Sequence, residues 1–300
     1  MIPLLSIVIA NYNYGRFLEE AIRSVLDQAV PEVELLVIDG GSTDESVDII
    51  RRYAHPPTPP LPHSPTPSLP HSPTPPLPHS PTPPLISYWV SEKDRGQSDA
   101  FNKGFAKARG KYLTWLNADD VMPAGCLARV VCEMKAHPDC EWFTANTYRF
   151  TQDGRVVGLW WGPRHVPTLL QGKGTPIAVY GPSTFFAKAL YERVGRIDES
   201  LHLIMDIDLW ERFVLVGAKF RRLNWFCWGF RMHEASKTAE FGDHRLDDST
   251  SKKLAAENDY KRQKNAYRES RVKKLLIQAL RLLDGSFLRR YLLLKSYRRM

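Results

Sequence analysis

The chain has 300 residues, a hydrophobic content of 43% and a formal net charge of +8. This length and composition can bury a substantial core, which excludes a disordered chain. No apolar run approaches the roughly 20 residues that cross a bilayer. The opening segment IPLLSIVIA lacks a basic leader and a small-residue cleavage site, so we interpret it as a first strand and not as a signal peptide.

Four short β-type runs alternate with helical patterns over the first 120 residues. They read LSIVIA, VELLVID, ISYWV and YLTWLN. This alternation predicts a parallel sheet flanked by helices. Apolar residues recur at helical spacing from Phe17 to Leu26, which predicts the first helix. The sequence STDE predicts a capping box at Ser42 and Glu45 that opens a second helix, which runs to about Tyr53.

Helix-ending glycines, turn residues and apolar spacing predict the later elements. A third helix fits Ser98–Arg109 and would stop at Gly110, and a fourth fits 127–135. A hairpin is predicted to turn at Asp153–Gly154. A further helix fits 188–194, ending before a glycine, and another follows Met205.

A proline-rich stretch interrupts this order. Residues 57–85 contain three octapeptides of the type PTPPLPHS and a partial fourth, and with Pro56 they hold fifteen of the 23 prolines. So many prolines prevent helix or ladder hydrogen bonding, which predicts a disordered or extended insertion at 56–85. A tolerated repeat expansion and a ligand for proline-recognising domains are the two interpretations. We favour the first, because perfect short repeats carry no sign of one tuned docking site.

Positive charge is concentrated at the end of the chain. Residues 252–300 hold fifteen Lys or Arg and four Asp or Glu, a net of +11, which leaves 8 − 11 = −3 for the rest. We predict a domain at 1–250 and a basic, amphipathic helical tail at 251–300. The tail could lie on an anionic membrane surface or pack against the body. The rest of the chain is slightly acidic and contains no known nucleic-acid-binding motif, which argues against a nucleic-acid partner.

Cysteine usage indicates the compartment. The four cysteines form no C-x-x-C pair, and the chain has no N-x-[ST] sequon. We therefore expect reduced, buried cysteines and a cytoplasmic location, peripheral to the inner face of the membrane if the tail binds lipid.

Polar residues follow three of the predicted strands. Asn11, Asp39 and the Asn117–Asp120 group should converge, because ligands of open α/β sheets bind where parallel strands end. No G-x-G-x-x-G follows the first strand and no P-loop occurs, so phosphate needs another partner. Asp119 and Asp120 would suit Mg²⁺ or Mn²⁺ gripping a diphosphate. An exposed turn with Asp120 as N-cap is the alternative.

Four segments, in order, resemble a family 2 glycosyltransferase. They are SIVIANYNYGRFLEEAIRSVLDQ, LLVIDGGSTDES, SEKDRGQSDAFNKGFAKARGKYLTWLNADD and VGRIDESLHLIMDIDLWERF. The resemblance covers roughly residues 3–240 without the insertion. It implies the GT-A fold, a Rossmann-like, mostly parallel mixed α/β sheet flanked by helices, and transfer with inversion from a nucleotide-activated sugar.

The resemblance also implies a nucleotide site. Its residues would be Ala10, Asn11, Tyr12, Asp39, Arg95, Asp99 and Asn117. Asp39 would hydrogen-bond a uracil-type ring, and its alternative role is that of a turn residue before two glycines. Asn117 stands where the family usually has the first Asp of D-x-D, and its amide would bond a ribose hydroxyl.

Metal and catalytic roles follow from the same resemblance. Asp119 would be the first metal ligand, Asp120 a second ligand or ribose contact, and His233 a further ligand or a satisfied structural histidine. The family's E-D pair reads Met205–Asp206 here, so Asp206 would be the base that activates the acceptor. Asp208 is the second candidate base and is expected instead to pair with the arginine four residues on.

We predict transfer from a UDP- or dTDP-sugar to a hydroxyl on a glycan or lipid-linked glycan, in cell-surface or exopolysaccharide synthesis. A catalytically weak regulator with the same fold is one alternative, suggested by Asn117 and Met205. A nucleic-acid-binding protein, suggested by the tail charge, is the other. Five tryptophans could offer a face to a sugar ring but are expected in the core: Trp160, Trp161, Trp210, Trp225 and Trp228.

Overall fold

The computed structural model describes residues 2–54, 85–161, 181–201, 204–234, 236, 279 and 283. The proline-rich insertion, apart from residue 85, and the basic tail, apart from two isolated residues, lie outside these ranges. The predictions made for both segments therefore stay predictions.

Within the described residues the chain forms eight strands and six α-helices. The strands are β1 (Leu5–Asn11), β2 (Val33–Asp39), β3 (Tyr88–Ser91), β4 (Tyr112–Asn117), β5 (Trp142–Thr151), β6 (Val156–Trp160), β7 (Thr184–Ala187) and β8 (Phe220–Met232). The helices are α1 (Gly15–Leu26), α2 (Ser46–Ala54), α3 (Gln97–Lys107), α4 (Cys126–Ala136), α5 (Lys188–Arg193) and α6 (Met205–Leu215).

All eight strands belong to one mixed sheet. Its order is β3-β2-β1-β4-β7-β5-β6, and β8 pairs with β5 outside this path. The first four strands are parallel to one another, as predicted. The strand β7 is antiparallel to both β4 and β5, and it joins the parallel half to a second half in which β8 runs parallel to β5. The expected mixed, mostly parallel α/β sheet is confirmed.

Helices cover the sheet and bury its central strands. Leu5, Ile7, Val8 and Ile9 of β1 are fully buried, as expected for a parallel strand that is covered on both faces. Helix α6 packs against β4 through stacked indoles. The rings of Trp115 on β4 and Trp210 on α6 lie 5.3 Å apart and nearly parallel. This contact fixes α6, and the carboxylates on its first turn, against the sheet.

Two predicted helix ends differ from the structure. Helix α2 begins at Ser46 because the hydroxyl of Ser42 donates to Asp39 (2.5 Å) and does not cap a helix. The carboxylate of Asp44 accepts the Ser46 N–H instead (3.0 Å). Helix α3 ends at Lys107, before Gly110, whose own role is close packing: a Cβ there would lie 2.7 Å from the backbone nitrogen of Ser6.

The remaining predicted elements are present, and two strands were missed. The β5–β6 hairpin turns at Gly154, which has φ 83°, and α4, α5 and α6 lie within a residue or two of their predicted positions. The short strand β7 and the thirteen-residue strand β8 were not predicted.

The cysteines are free thiols, and their burial varies. Cys126 and Cys227 are buried, Cys140 is half-buried, and Cys132 is exposed, which differs from the expectation that all four are buried. None of the helices in the described ranges has the length and apolar character needed to cross a membrane.

Candidate active site

The carboxyl ends of β1 and β4 open into a cavity of about 370 Å³. Six residues predicted from the sequence line it: Ala10, Asn11, Tyr12, Asn117, Asp119 and Asp206. The predicted convergence of these strand ends is therefore observed, and the candidate base shares one cavity with the candidate metal ligand. Asp39, Arg95, Asp99, Asp120 and His233 do not line it.

Asp39 lies beneath the cavity and is fully buried. Its Oδ1 accepts hydrogen bonds from the Asn11 amide (2.7 Å) and the Ser42 hydroxyl (2.5 Å). Its Oδ2 accepts bonds from the Ser91 hydroxyl (2.6 Å) and from the N–H groups of Gly41 (3.2 Å) and Ser42 (2.9 Å). Five protein donors thus satisfy this carboxylate, which shapes the turn after β2 and orients Asn11.

Asn11 lines the cavity, and within the described part of the chain only one end of its amide group is paired. Its Nδ2 donates to Asp39 and to Ser42 (3.2 Å). Its Oδ1 is buried and has no hydrogen-bond partner among the described residues. Because a buried acceptor without a partner is costly, this atom is suited to receive an N–H from a ligand.

Arg95 and Asp99 pair with each other at the start of α3. The Asp99 carboxylate accepts the Arg95 backbone N–H (3.0 Å) and its guanidinium (3.2 Å). Burial alone would raise the pKa of Asp99, but these bonds and the ammonium of Lys103 lower it below the ordinary value. The Arg95 side chain is 75% exposed and also pairs with Glu199.

Asn117 and Asp120 form a fixed pair at the end of β4. The Asn117 Oδ1 accepts from Gln97 (2.9 Å), and its Nδ2 donates to the Asp120 Oδ2 (2.7 Å). The Asp120 Oδ1 accepts the backbone N–H of Arg231 (2.9 Å). Burial, and then the charge of Asp119, raises the pKa of Asp120 well above its ordinary value.

The three predicted metal ligands differ in their surroundings. Asp120 is 1% exposed, and each of its oxygens accepts a hydrogen bond from a protein donor. Its role as a second metal ligand or ribose contact stays a prediction. No group of three or more His, Cys, Asp or Glu side chains able to hold a metal occurs in the described part of the chain. Asp119 and His233 remain as neighbours, with 3.0 Å between Oδ2 and Nε2.

His233 is held between aromatic rings at the edge of the cavity. Its side chain is fully buried, and its ring centroid lies 4.6 Å from that of Phe17 and 5.9 Å from that of Tyr14. Its Nδ1 has no hydrogen-bond partner within the described ranges. One carboxylate and one imidazole fit a divalent ion whose other ligands are diphosphate and water oxygens.

Asp206 lies in the first turn of α6 and lines the same cavity. Its Oδ1 accepts the N–H of Ile207 (2.7 Å). A Cβ on Gly181 would lie 3.8 Å from the Asp206 carboxylate and 3.4 Å from the Trp228 ring. The glycine thus leaves room between an indole and the candidate base, a combination suited to an acceptor that has both an apolar face and a hydroxyl.

The neighbours of Asp206 have structural roles. Asp208 pairs with Arg212 (2.9 Å), as predicted. Met205 is buried, and its sulfur accepts the hydroxyl of Ser98 (3.0 Å). The methionine thus fills space beside the base without adding charge.

Sequence patterns alone did not identify two residues around this site. Arg231 donates to the backbone oxygen of Asp119, and Gly181 lines the cavity. Trp228 is buried in the core, as expected, and its ring also lines the cavity. The aromatic run from Trp225 to Phe230 carried a strand signal that could have placed β8 beside the site.

The glycosyl transferase family 2 model matches residues 6–64 and 73–194, which is more than half of the chain. Asp206 and His233 lie beyond the matched residues. An uncharacterized glycosyltransferase of Nostoc sp. is 35% identical over 42% of this chain and 31% of its own length. The chondroitin synthase of Escherichia coli is 21% identical over 77% of this chain and 29% of its own length.

Other relatives and solved structures agree. The putative teichuronic acid biosynthesis glycosyltransferase TuaG of Bacillus subtilis is 27% identical over 39% of this chain and 36% of its own length. The chain therefore spans about a third of the length of each of these three relatives. Among solved structures, Staphylococcus aureus TarS in complex with UDP-GlcNAc has a TM-score of 0.56 at 15% identity, over 78% of this chain and 60% of that one.

The mannosyltransferase PcManGT of Pyrobaculum calidifontis, in complex with GDP-Man and Mn²⁺, has a TM-score of 0.52 at 19% identity, over 80% of this chain and 60% of that one. At these identities the solved structures show the fold, which is GT-A. Together with the family match and the cavity at the edge of the sheet, they show that this chain belongs to glycosyl transferase family 2.

Proposed function

We propose that this chain transfers a sugar, with inversion, from a UDP- or dTDP-sugar to a hydroxyl group on a glycan or lipid-linked glycan. The observation that carries the proposal is the shared cavity: Asp119, in the turn after β4, and Asp206, in the first turn of α6, both line it. A single displacement needs charge stabilisation on one side of the sugar and a base on the other.

On the donor side, Asn11 and Tyr12 would hold the base and the Asp119–His233 pair would face the diphosphate. The unpartnered Oδ1 of Asn11 could accept a ring N–H, such as that of a uracil-type base. Mn²⁺ or Mg²⁺ bound by Asp119 and His233 would neutralise negative charge on the leaving diphosphate. The TarS complex with UDP-GlcNAc and the PcManGT complex with Mn²⁺ support this proposal.

On the acceptor side, Asp206 would take the proton of the attacking hydroxyl. Trp228 would offer its ring to the apolar face of the acceptor, in the space that Gly181 leaves open. The new bond forms between the acceptor oxygen and the anomeric carbon, while the bond from that carbon to the diphosphate breaks. The proton goes to the Asp206 carboxylate, and the electron pair leaves with the diphosphate.

Polysaccharide synthesis is the proposed setting, because the relatives include a chondroitin synthase and a teichuronic acid biosynthesis glycosyltransferase. Binding of residues 252–300 to an anionic membrane surface stays a prediction from charge. Liposome flotation of the full chain and of a truncation before Ser251 tests it, and equal flotation of the two would contradict it.

The function is tested with a panel of UDP-, dTDP- and GDP-sugars, with and without Mn²⁺, followed by thermal shift and by release of nucleoside diphosphate. A donor should raise the melting temperature, because it binds only the folded state. The Asp119→Asn variant should fold normally and lose the Mn²⁺-dependent part of both signals. Mn²⁺-dependent turnover close to that of the wild type in this variant would remove Asp119 from its role.

The same panel discriminates the alternative of a weak regulator, which the replacement of an acidic residue by Met205 favours. Such a protein would bind a donor and show the thermal shift, but it would neither hydrolyse nor transfer the sugar.

A further inference from the structure

Arg231 is a buried arginine behind the metal side of the cavity, and it was not among the residues predicted from the sequence. Its side chain is 5% exposed and lies near the end of β8, two residues before His233. A buried guanidinium needs hydrogen-bond partners for its donors, because leaving them unpaired costs several kcal/mol. The partners of Arg231 include the acidic turn after β4 and residues of α1 and β5.

The first contacts hold the turn itself. The Arg231 Nε donates to the backbone oxygen of Asp119 (2.8 Å), and its backbone N–H donates to the Asp120 carboxylate (2.9 Å). Two residues earlier on β8, Gly229 exchanges both backbone hydrogen bonds with Val121 (2.8 and 3.1 Å). The Asp119–Val121 segment is thus laid along β8, and Arg231 is the side chain that fixes its first residue.

A second set of contacts links Arg231 to His233 through aromatic rings. The guanidinium carbon of Arg231 lies 5.2 Å from the ring centroid of Phe17 and 4.6 Å from that of Phe150. The His233 ring packs on the same Phe17 at 4.6 Å. The guanidinium also pairs with Glu20 of α1 at 2.5 Å. The Arg231 guanidinium therefore contacts the carbonyl of Asp119 directly, and it contacts the imidazole of His233 indirectly, through the Phe17 ring on which both pack.

We propose that Arg231 is a positioning residue that sets the separation and orientation of Asp119 and His233, and thereby the affinity of the site for a divalent ion. This inference rests on the proposed function, in which these two side chains hold the ion. Groups that orient metal ligands from behind typically change metal affinity 10- to 100-fold when they are lost. Arg231 itself does not line the cavity and would touch neither substrate nor metal.

The test is Mn²⁺ binding to the full chain in the presence of saturating UDP, followed by the loss of the free-ion electron paramagnetic resonance signal. The variants are Arg231→Met, which keeps length without charge, and Arg231→Lys, which keeps charge without the planar fork. We expect Arg231→Met to weaken Mn²⁺ binding at least about tenfold and Arg231→Lys to recover part of that loss. Asp119→Asn should show the binding that remains without the first ligand.

Arg109→Met is the matched control. Arg109 pairs with the buried carboxylate of Glu34 (2.8 Å) at the opposite edge of the sheet, so its loss likewise removes a guanidinium from an ion pair, but far from the acidic turn. This control should lower the melting temperature and leave Mn²⁺ affinity within about twofold of the wild type, since it touches no part of the metal side.

The outcomes separate this inference from the proposed function. Wild-type affinity in folded Arg231→Met would overturn the positioning role alone, as would wild-type affinity in Arg231→Lys if the methionine variant does not fold. No Mn²⁺ binding by the wild-type chain would overturn the metal-dependent function and this inference together. An affinity loss in Arg109→Met equal to that in Arg231→Met would assign the effect to general destabilisation and also overturn the inference.

Discussion

The carboxylates in and around this cavity differ in their hydrogen-bond partners and in their access to a ligand. Asp39 and Asp120 are buried, and protein donors bond both oxygens of each. Asp119 and Asp206 line the cavity, where a ligand could reach them. Asp39 and Asp120 therefore stabilise the structure around the cavity, whereas Asp119 and Asp206 supply the proposed chemistry.

Asp206→Asn should keep donor binding and lose transfer. The amide is nearly isosteric with the carboxylate but cannot take the proton from the acceptor, and loss of a general base typically costs 10²- to 10⁴-fold in rate. Titration of the donor by calorimetry and the rate of sugar transfer give the two quantities. Glu211→Gln on the same helix serves as a control for the loss of a negative charge on α6. An unchanged transfer rate in Asp206→Asn would move the base elsewhere.

Asp39→Asn should destabilise the protein by about 1–3 kcal/mol, because an amide would place N–H groups against donors in a fully buried position. Urea unfolding measures this loss. Asp48→Asn, at an exposed residue of the neighbouring helix, should change stability by less than about 0.5 kcal/mol. Full stability of Asp39→Asn combined with lost UDP binding would instead assign Asp39 to the ligand.

At the scale of elements, Asp44 joins two helix starts. Its Oδ1 accepts the N–H of Ser46 at the start of α2, and its Oδ2 accepts the N–H of Gly15 at the start of α1 (2.8 Å). These N–H groups have no partner within their helices, and the N-terminal charge of each helix dipole favours a carboxylate. One side chain therefore fixes the relative position of the first two helices.

Asp44→Asn should cost stability at neutral pH, and this cost should vanish in acid. Burial alone would raise the pKa of Asp44, but the hydrogen bonds from Ser46 and Gly15 outweigh it and lower the pKa below 3.8. Because the folded-state pKa is lowered, the stabilisation is present above about pH 3.8 and is lost as the pH falls through the folded-state value. Urea unfolding of both proteins at pH 7, 5, 4 and 3 follows this difference. A difference that is constant with pH would contradict it.

Local patterns predicted the elements whose own residues determine them. Apolar spacing placed α1, and the Asp153–Gly154 pair placed the hairpin, because both depend on neighbours in sequence. The capping box at Ser42 failed because the hydroxyl of Ser42 bonds Asp39 instead. The role of Asp120 depends on Arg231, which is 111 residues away, so no local pattern could show that this carboxylate is already occupied.

At the scale of the whole molecule, residues on either side of the proline-rich insertion are joined by a backbone hydrogen bond. The N–H of Ile86 donates to the carbonyl of Tyr53 at 3.0 Å. This bond holds together the two residues that flank the segment 54–85. The last turn of α2 is therefore tied directly to the approach to β3.

Deleting residues 57–84 should leave sugar transfer unchanged and raise stability. The connection between Tyr53 and Ile86 would shorten from 32 to four residues, and each halving of a flexible loop lowers the closure cost by about 0.6 kcal/mol. We expect a gain of up to about 2 kcal/mol in urea unfolding. Replacing the same residues by a Gly-Ser linker of equal length should leave stability close to that of the wild type. A folded deletion variant without activity would show that the repeats take part in function.

The strand β8 supplies the bonds that hold the acidic turn and leads directly to His233, and it follows α6 in the chain. A nascent polypeptide leaving the ribosome therefore carries Asp119 before the residues that hold its turn have been synthesised. Under the proposed function, such a partly synthesised chain also lacks His233, so it should not yet bind the metal ion and the diphosphate.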